Sequence, residues 1–277
     1  MKKSRLFLII CLSLLLLTSC TKDNILQYNG VKETMVTSKE DIPDAFIPQD
    51  VKIVSAGDSL TQGVGDSTGK GGYIPYLKGL LENDRGIGEV TFENFGVKGN
   101  KTDQLLTKIQ TDEVHQSITS ADMVILTIGG NDIMKVVREH LSDLQLEDFS
   151  EQMKQYESNL YQVLKTIREY NSEALIVLVG VYNPFTKWFS NIDEMNQVVT
   201  EWNATGENIL TLFDQTYFVR IDDIFLTGKE NLFYKDYFHP NDKGYQLIAD
   251  NIYNELEKEA MKVLLTKRTA EEVDRGE

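Results

Sequence analysis

Cysteine is almost absent from this chain of 277 residues, since Cys11 and Cys20 are its two cysteines and both lie in the first twenty positions. The remainder can form neither a disulfide framework nor a cysteine-rich metal site. Basic residues are also few, with 28 Lys and Arg against 43 Asp and Glu and a formal net charge of −15. Because so acidic a surface repels phosphate backbones, we expect no nucleic-acid partner. Hydrophobic residues at 41% and charged residues at 26% are typical of a globular protein.

The longest apolar run extends from Leu6 to Leu17 and follows a cationic start formed by Lys2, Lys3 and Arg5. It is shorter than the about 20 apolar residues that a membrane-spanning helix needs. Its length and its order of charges are typical of a secretory signal peptide. The run ends in Leu17-Thr18-Ser19-Cys20, which resembles the bacterial lipobox, where cleavage precedes a cysteine that carries diacylglycerol.

This resemblance implies a signal peptide over residues 1–19 and a lipid on Cys20, followed by a polar tether over residues 20–49. Two or more acyl chains hold a protein stably on a bilayer. We therefore expect an extracytoplasmic protein that is anchored to the cell membrane through Cys20. An uncleaved membrane anchor, in which Cys20 is incidental, is the alternative.

From Val51 onward, short apolar runs alternate with longer amphipathic stretches. The predicted strands are Lys52–Ala56, Glu89–Asn94, Met123–Ile128, Ala174–Val181 and Phe218–Ile221. The predicted helices are Ile74–Leu81, Asp103–Ile118, Glu147–Tyr170, Asp193–Phe213 and Gly244 to about Leu265. The third and fourth strands are almost continuously apolar, as in parallel sheets that helices cover on both faces. The pattern predicts one doubly wound α/β domain over residues 50–277, with a mostly five-stranded parallel sheet between two helical layers.

Ligands of such sheets bind beyond the carboxyl ends of the strands, so the residues after each strand are the candidates for chemistry. Gly57-Asp58-Ser59-Leu60 follows the first strand and presents a serine hydroxyl at a strand-to-helix turn, although Asp and Ser are also common helix caps. Gly99 belongs to a turn after the second strand that either approaches a ligand or only reverses the chain. Gly129-Gly130-Asn131-Asp132 follows the third strand, where Asn131 either caps a helix or donates to a ligand.

Histidine is scarce, since His115, His140 and His239 are the three in the chain. The first two lie in charged stretches and are predicted to be solvated surface residues. His239 follows Asp236 by three positions and precedes Pro240, which disfavours helical backbone at the histidine. A carboxylate at that spacing can orient an imidazole and fix its tautomer, as in a catalytic triad. A His-Pro sequence that merely precedes the last helix is the alternative.

Taken together and in this order, four segments resemble the sequence blocks of the SGNH hydrolases, also called the GDSL esterase/lipase family. They are Gly57–Leu60, the turn with Gly99, Gly129–Asp132 and Asp236–His239. The resemblance extends from about Val51 to the final helix and implies a flavodoxin-like fold in three α/β/α layers. It implies that Ser59 is the nucleophile, His239 the general base and Asp236 the residue that orients it. It further implies an oxyanion hole formed by the Ser59 N–H, the Gly99 N–H and the Asn131 side chain. Asp58 is expected to support the turn rather than to react.

The resulting expectation is a serine hydrolase of carboxylic esters that needs no metal and no cofactor, with a small molecule, a lipid or an envelope glycan as the ester substrate. An acyltransferase or a deacetylase of cell-envelope polysaccharide would use the same triad. A catalytically silent lipoprotein that binds envelope components is the alternative from another class. The aromatic segment Tyr182–Phe189 is interpreted either as an acyl-binding wall or lid or as packing over the sheet edge.

Overall fold

The computed structural model describes residues 48–187, 193–226 and 231–266. Its central sheet has five strands, β1 (Gln49–Gly57), β2 (Ile87–Gly96), β3 (Met123–Thr127), β4 (Leu175–Val179) and β5 (Thr216–Val219). The strand order is β2-β1-β3-β4-β5, and all neighbouring strands are parallel. The chain moves outward from β1 to β2 and then crosses back to β3, so the carboxyl ends of β1 and β3 form a topological switch point. The predicted doubly wound fold is confirmed.

All side chains of β3 and β4 are buried, which explains why both strands are continuously apolar. Successive side chains of a strand point to opposite faces of the sheet. Val124 and Leu126 accordingly belong to one hydrophobic cluster, whereas Met123 and Ile125 belong to the other. The sheet therefore separates two cores, and each core needs its own covering layer of helices.

The α-helices that the structure describes are α1 (Ser59–Gln62), α2 (Ile74–Glu82), α3 (Thr102–Ile109), α4 (Asp112–Thr119), α5 (Gly130–Glu139), α6 (Phe149–Tyr170), α7 (Asp193–Leu210), α8 (Asp222–Leu226) and α9 (Asp242–Glu255), and a π-helix over Leu256–Ala260 directly continues α9. Helices α3 to α7 contribute to the core on one face of the sheet, and α2, α8 and α9 to the core on the other. The three-layer prediction is thus confirmed. No helix within the described ranges is long and apolar enough to cross a membrane.

The predicted single helix Asp103–Ile118 is wrong, because the chain forms two helices there. The first helix ends at Ile109 with Gln110 as its C-cap, and the backbone of Thr111 is extended, with ψ of 145°. Thr111 is followed by Asp112 and Glu113, and acidic side chains favour the first turn of a new helix. Helix α5 has no counterpart among the predicted helices, although a cap of a following helix was one of the two interpretations given for Asn131.

Three predictions fall wholly or partly outside the described residues. The signal peptide, the lipid site Cys20 and most of the tether lie within residues 1–47. Trp188 and Phe189, from the aromatic segment, also lie outside them. The earlier part of that segment forms a short 3-10 helix over Pro184–Lys187.

Candidate active site

Ser59 begins α1 directly at the carboxyl end of β1. Asp58 caps this helix, and its Oδ1 accepts a hydrogen bond of 3.0 Å from the Leu60 N–H. Gly57, with φ of +147°, lies so close to β3 that a Cβ there would meet the Thr127 carbonyl oxygen at 2.0 Å. The glycine is therefore required for β1 to pass β3 and turn, and this turn brings Ser59 to the switch point.

Ser59, His239 and Asp236 lie within hydrogen-bonding distance of one another in that order. The Ser59 Oγ is 3.0 Å from His239 Nε2, although the two residues are 180 positions apart in the sequence. The His239 Nδ1 is 2.6 Å from Asp236 Oδ2. The serine and the histidine are buried, whereas the aspartate side chain is 39% exposed. The structure thus brings together the three residues that the sequence placed in a triad.

The loop before α9 holds the histidine through local hydrogen bonds. Asp236 Oδ1 accepts bonds of 3.0 Å from the N–H groups of both Phe238 and His239. Tyr237 between them has a left-handed φ of +56°, which produces the tight turn. Partial burial favours the neutral carboxyl, but the bonds from His239 and Phe238 outweigh it and lower the pKa of Asp236 below its ordinary value. The carboxylate therefore stays charged beside the imidazole.

A second contact fixes this loop from the opposite side. The Tyr182 hydroxyl donates a hydrogen bond of 2.7 Å to the Phe238 carbonyl oxygen, and the Tyr182 ring stacks on Phe225 at 4.1 Å between centroids. Sequence reasoning left Tyr182 either in an acyl-binding wall or lid or in packing over the sheet edge. Its position beyond the end of β4 was the available indication of a role near the site.

The two other predicted donors, Gly99 and Asn131, flank the same switch point. Gly99 lies in the turn after β2 with φ of +86°. That turn is joined to the end of β1, since the Val97 N–H donates to the Gly57 carbonyl oxygen at 3.0 Å. Asn131 lies in the first turn of α5 and lines the same pocket as Ser59.

Asp58, the residue before Ser59, carries a buried carboxyl group. Its Oδ1 accepts 3.0 Å hydrogen bonds from the Leu60 N–H and from Thr127 Oγ1. Burial outweighs these bonds and raises the pKa of Asp58 to about 7. These contacts agree with the expectation that Asp58 supports the turn, and they add Thr127, a residue that sequence reasoning did not identify.

Asp132, next to Asn131, is a second buried carboxyl. It accepts hydrogen bonds from the Thr102 N–H, the Thr102 hydroxyl and the Gln152 amide at 3.1, 2.7 and 3.1 Å. Burial nevertheless raises the pKa of Asp132. The bonds join the starts of α3 and α6 to α5, so Asp132 fixes the helix that carries Asn131.

The pocket beside Ser59 is lined mainly by apolar side chains. They are contributed by α1, the residue after β3, α5, the segment after β4, α7 and the loop before α9, and comprise Leu60, Ile128, Ile133, Met134, Val181, Pro184, Phe185, Met195, Val199 and Phe238. Polar lining comes from Asp58, Ser59, Asn131 and Tyr182. An apolar chain attached to a polar group at Ser59 would match this distribution.

The other two histidines lie on the surface, as expected. The His115 ring packs against the Tyr170 ring at a tilt, with 3.9 Å between centroids, and His140 lies 3.5 Å from an Asp148 carboxylate oxygen. Across the described ranges, no group of three or more His, Cys, Asp and Glu side chains is placed to hold a metal ion.

Residues 55–247 match the GDSL-like Lipase/Acylhydrolase family. Protein YpmR of Bacillus subtilis (strain 168) is 37% identical over 261 residues, which cover 94% of this chain and 98% of YpmR. The spore germination lipase LipC of Bacillus licheniformis is 23% identical over 209 residues, covering 73% of this chain and 94% of LipC.

Among solved structures, the lipase Lip_vut3 from a goat rumen metagenome shares the fold with a TM-score of 0.67. It is 22% identical and covers 74% of this chain and 97% of its own. The chain described here belongs to the GDSL-like lipase/acylhydrolase family, and it is an ester hydrolase of the GDSL type. The resemblance seen in the sequence is thereby confirmed.

Proposed function

We propose that the protein is a lipid-anchored, extracytoplasmic serine hydrolase that cleaves carboxylic esters through Ser59, His239 and Asp236. The observation that carries the proposal is the 3.0 Å contact between Ser59 Oγ and His239 Nε2, continued by the 2.6 Å contact to Asp236. A nucleophile within hydrogen-bonding reach of a base, with that base oriented by a third group, is the arrangement that covalent catalysis requires.

In the first step, Ser59 Oγ attacks the ester carbonyl carbon while His239 Nε2 takes the hydroxyl proton. Asp236 stabilises the imidazolium through His239 Nδ1. The carbonyl π electrons move to the oxygen, and this oxyanion accepts hydrogen bonds from the N–H groups of Ser59 and Gly99 and from the Asn131 amide. Donors positioned in advance for that charge are commonly the largest electrostatic contribution to catalysis.

In the second half of the reaction, the tetrahedral intermediate collapses and the C–O bond to the alcohol breaks. The departing alkoxide takes the proton from His239 Nε2, and an acyl group remains on Ser59. Water then attacks the acyl carbon while His239 removes its proton. Collapse of that intermediate releases the carboxylic acid and returns the proton to Ser59.

The apolar pocket favours hydrolysis of an ester with an apolar acyl group over the other functions that the same triad permits. A deacetylase of envelope polysaccharide needs to hold only an acetyl group there and a sugar outside. An acyltransferase needs an alcohol acceptor that competes with water. A substrate panel that varies acyl length and adds an alcohol acceptor separates these three activities.

The membrane anchor is proposed on the basis of Leu17-Thr18-Ser19-Cys20 after the charged and apolar segments. Full-length protein expressed in a bacterium should partition into the detergent phase of Triton X-114, and a Cys20→Ala variant should lose lipid labelling. An unlabelled wild-type chain would contradict the anchor without affecting the proposal for the catalytic domain.

Labelling with a fluorophosphonate tests the catalytic proposal. Wild-type protein should be labelled and should hydrolyse p-nitrophenyl butyrate, whereas Ser59→Ala should do neither. Ser172→Ala, at an exposed serine, is the matched control and should behave as wild type. A wild-type protein that shows neither labelling nor hydrolysis would instead favour a silent binding lipoprotein.

A further inference from the structure

A second apolar cavity lies next to the pocket at Ser59. Its walls are contributed by the far end of α5, the segment that follows this helix, the start of α6, the 3-10 helix after β4 and the start of α7. The principal apolar side chains are Val137, Leu144, Leu146, Phe149, Phe185 and Met195. Polar side chains contribute less of this lining, and they include Gln145 and Glu194.

Phe185 and Met195 line both cavities, so they form the partition between them. Met195 is buried and Phe185 is half-buried against the same hydrophobic core. Methionine is unbranched and adapts its shape easily to a neighbouring group. The partition therefore contains a side chain that can shift to let a narrow apolar group pass.

Helix α5 connects the two cavities with a continuous apolar stripe. Ile133 and Met134 line the pocket at Ser59, and Val137 one turn later lines the distal cavity. Leu141, just beyond the helix, continues the stripe to the surface, where it is 78% exposed. From Met134 to Leu141 the stripe covers roughly 10 Å at about 1.5 Å per residue.

We propose that the distal cavity is a second acyl subsite, which takes the terminal methylene groups of a long-chain ester whose carbonyl lies at Ser59. The chain passes between Phe185 and Met195 and then follows α5 toward Leu141. The inference rests on the proposed function, because it assigns the acyl group of that reaction. It makes the substrate class long-chain carboxylic esters rather than acetyl esters.

The apolar lining supports an acyl chain as occupant, because each methylene removed from water strengthens binding by roughly fourfold. The two side chains that the cavity shares with the pocket at Ser59, Phe185 and Met195, favour this occupant over a separate partner protein. A partner protein could cover Leu141, but its binding would not depend on the length of an ester bound at Ser59.

Leu144→Asp tests the subsite, since it places a charge in the distal cavity without touching the pocket at Ser59. For p-nitrophenyl dodecanoate, kept below its micelle concentration, kcat/KM should fall by about tenfold or more. For the acetate and butyrate esters, kcat/KM should stay within about twofold of wild type, because these chains end before the partition. Leu212→Asp changes an exposed leucine that lines neither cavity, and it should leave all three values unchanged.

Leu141→Asp provides a second variant in which folding is not at risk, because this side chain is largely exposed. It should lower kcat/KM for dodecanoate selectively, by a smaller factor than Leu144→Asp. Unchanged dodecanoate hydrolysis in both variants would overturn the inference, as would an equal loss for all chain lengths. Wild-type hydrolysis of butyrate without hydrolysis of dodecanoate would overturn the subsite alone. Absence of both hydrolysis and fluorophosphonate labelling would overturn the proposed function as well.

Discussion

The side-chain amide of Asn131 donates a hydrogen bond of 3.0 Å to the backbone carbonyl oxygen of Asn100. This bond joins the first turn of α5 to the turn that carries Gly99, so the two proposed oxyanion donors beyond Ser59 are held by one contact. An amide NH₂ group has two hydrogens, and the second remains for an oxyanion. The bond to Asn100 therefore positions the donor before substrate arrives.

Asn131→Ala should reduce kcat by roughly 10²- to 10³-fold, because one preorganised donor is lost in the transition state. KM should change little, since the ground-state carbonyl oxygen carries less charge than the oxyanion. Steady-state kinetics with p-nitrophenyl butyrate measure both values. Asn100→Ala is the control, because it keeps the carbonyl oxygen to which Asn131 donates. Equal kcat values for wild type and Asn131→Ala would contradict the assigned role.

Gly99→Ala tests whether the left-handed backbone of this turn matters for catalysis. A Cβ at Gly99 would have no atom within 4 Å, so the substitution strains the backbone without creating a clash. The free energy of unfolding should fall by about 1 kcal/mol, and kcat should fall by about tenfold as the N–H moves.

Gly99→Asn separates the effect of backbone strain from the effect of adding a side chain, because asparagine adopts left-handed backbone more readily than alanine does. The free energy of unfolding, measured by chemical denaturation, and kcat should both fall less in Gly99→Asn than in Gly99→Ala. If the alanine variant matched wild type in both measurements, the Gly99 N–H would not belong to the oxyanion hole.

Asp236→Asn should reduce kcat by roughly 10²- to 10⁴-fold, because the neutral amide no longer stabilises the imidazolium. The pKa of Asp236 lies below its ordinary value of 3.8, so the carboxylate is charged at every pH above that value. Its contribution to stability is present above pH 3.8 and is lost only as pH falls through the lower pKa of the folded state.

Activity should therefore decline on moderate acidification, because a general base must be unprotonated to take the Ser59 proton while the Asp236 carboxylate stays charged. Fluorophosphonate labelling of wild type and Asp236→Asn across the pH range measures this decline. A wild-type rate that stays flat from mildly acidic to mildly alkaline pH would contradict His239 as the base.

Asp58→Asn should make folding stability less sensitive to pH. Folded protein keeps the Asp58 proton up to about pH 7, whereas an unfolded aspartate releases it near pH 3.8. The folded state binds more protons between these values, so the free energy of unfolding of wild type falls as pH rises through this window. The variant has no such proton, so its stability relative to wild type should grow by roughly 2 to 4 kcal/mol from pH 4 to pH 8.

Urea unfolding at the two pH values measures this difference. Asp143→Asn removes an exposed carboxylate instead, and it should show no comparable gain. A stability difference between wild type and Asp58→Asn that is the same at both pH values would show that the buried carboxyl does not hold its proton.

The local pattern of apolar and polar residues was enough to predict most strands of the sheet and the helical layers on its two faces. Strands β3 and β4 were predictable because burial on both faces requires a run of apolar residues with no polar alternation. The break between α3 and α4 was missed because the buried pairs Leu105/Ile109 and Val114/Ile118 each keep the four-residue spacing of a helix, and the five-residue step from Ile109 to Val114, which falls out of helical register, was not used.

The candidate site was likewise predictable from the sequence only in part. The residue types at the strand ends and their order indicated Ser59, His239 and Asp236, because the chemistry needs those groups and parallel strands end at one edge. Tertiary packing alone decided the burial of Asp58 and its bond to Thr127, which is 69 positions away. The apolar cavity beyond Phe185 is decided by packing as well, since burial and cavity shape depend on neighbours from distant parts of the chain.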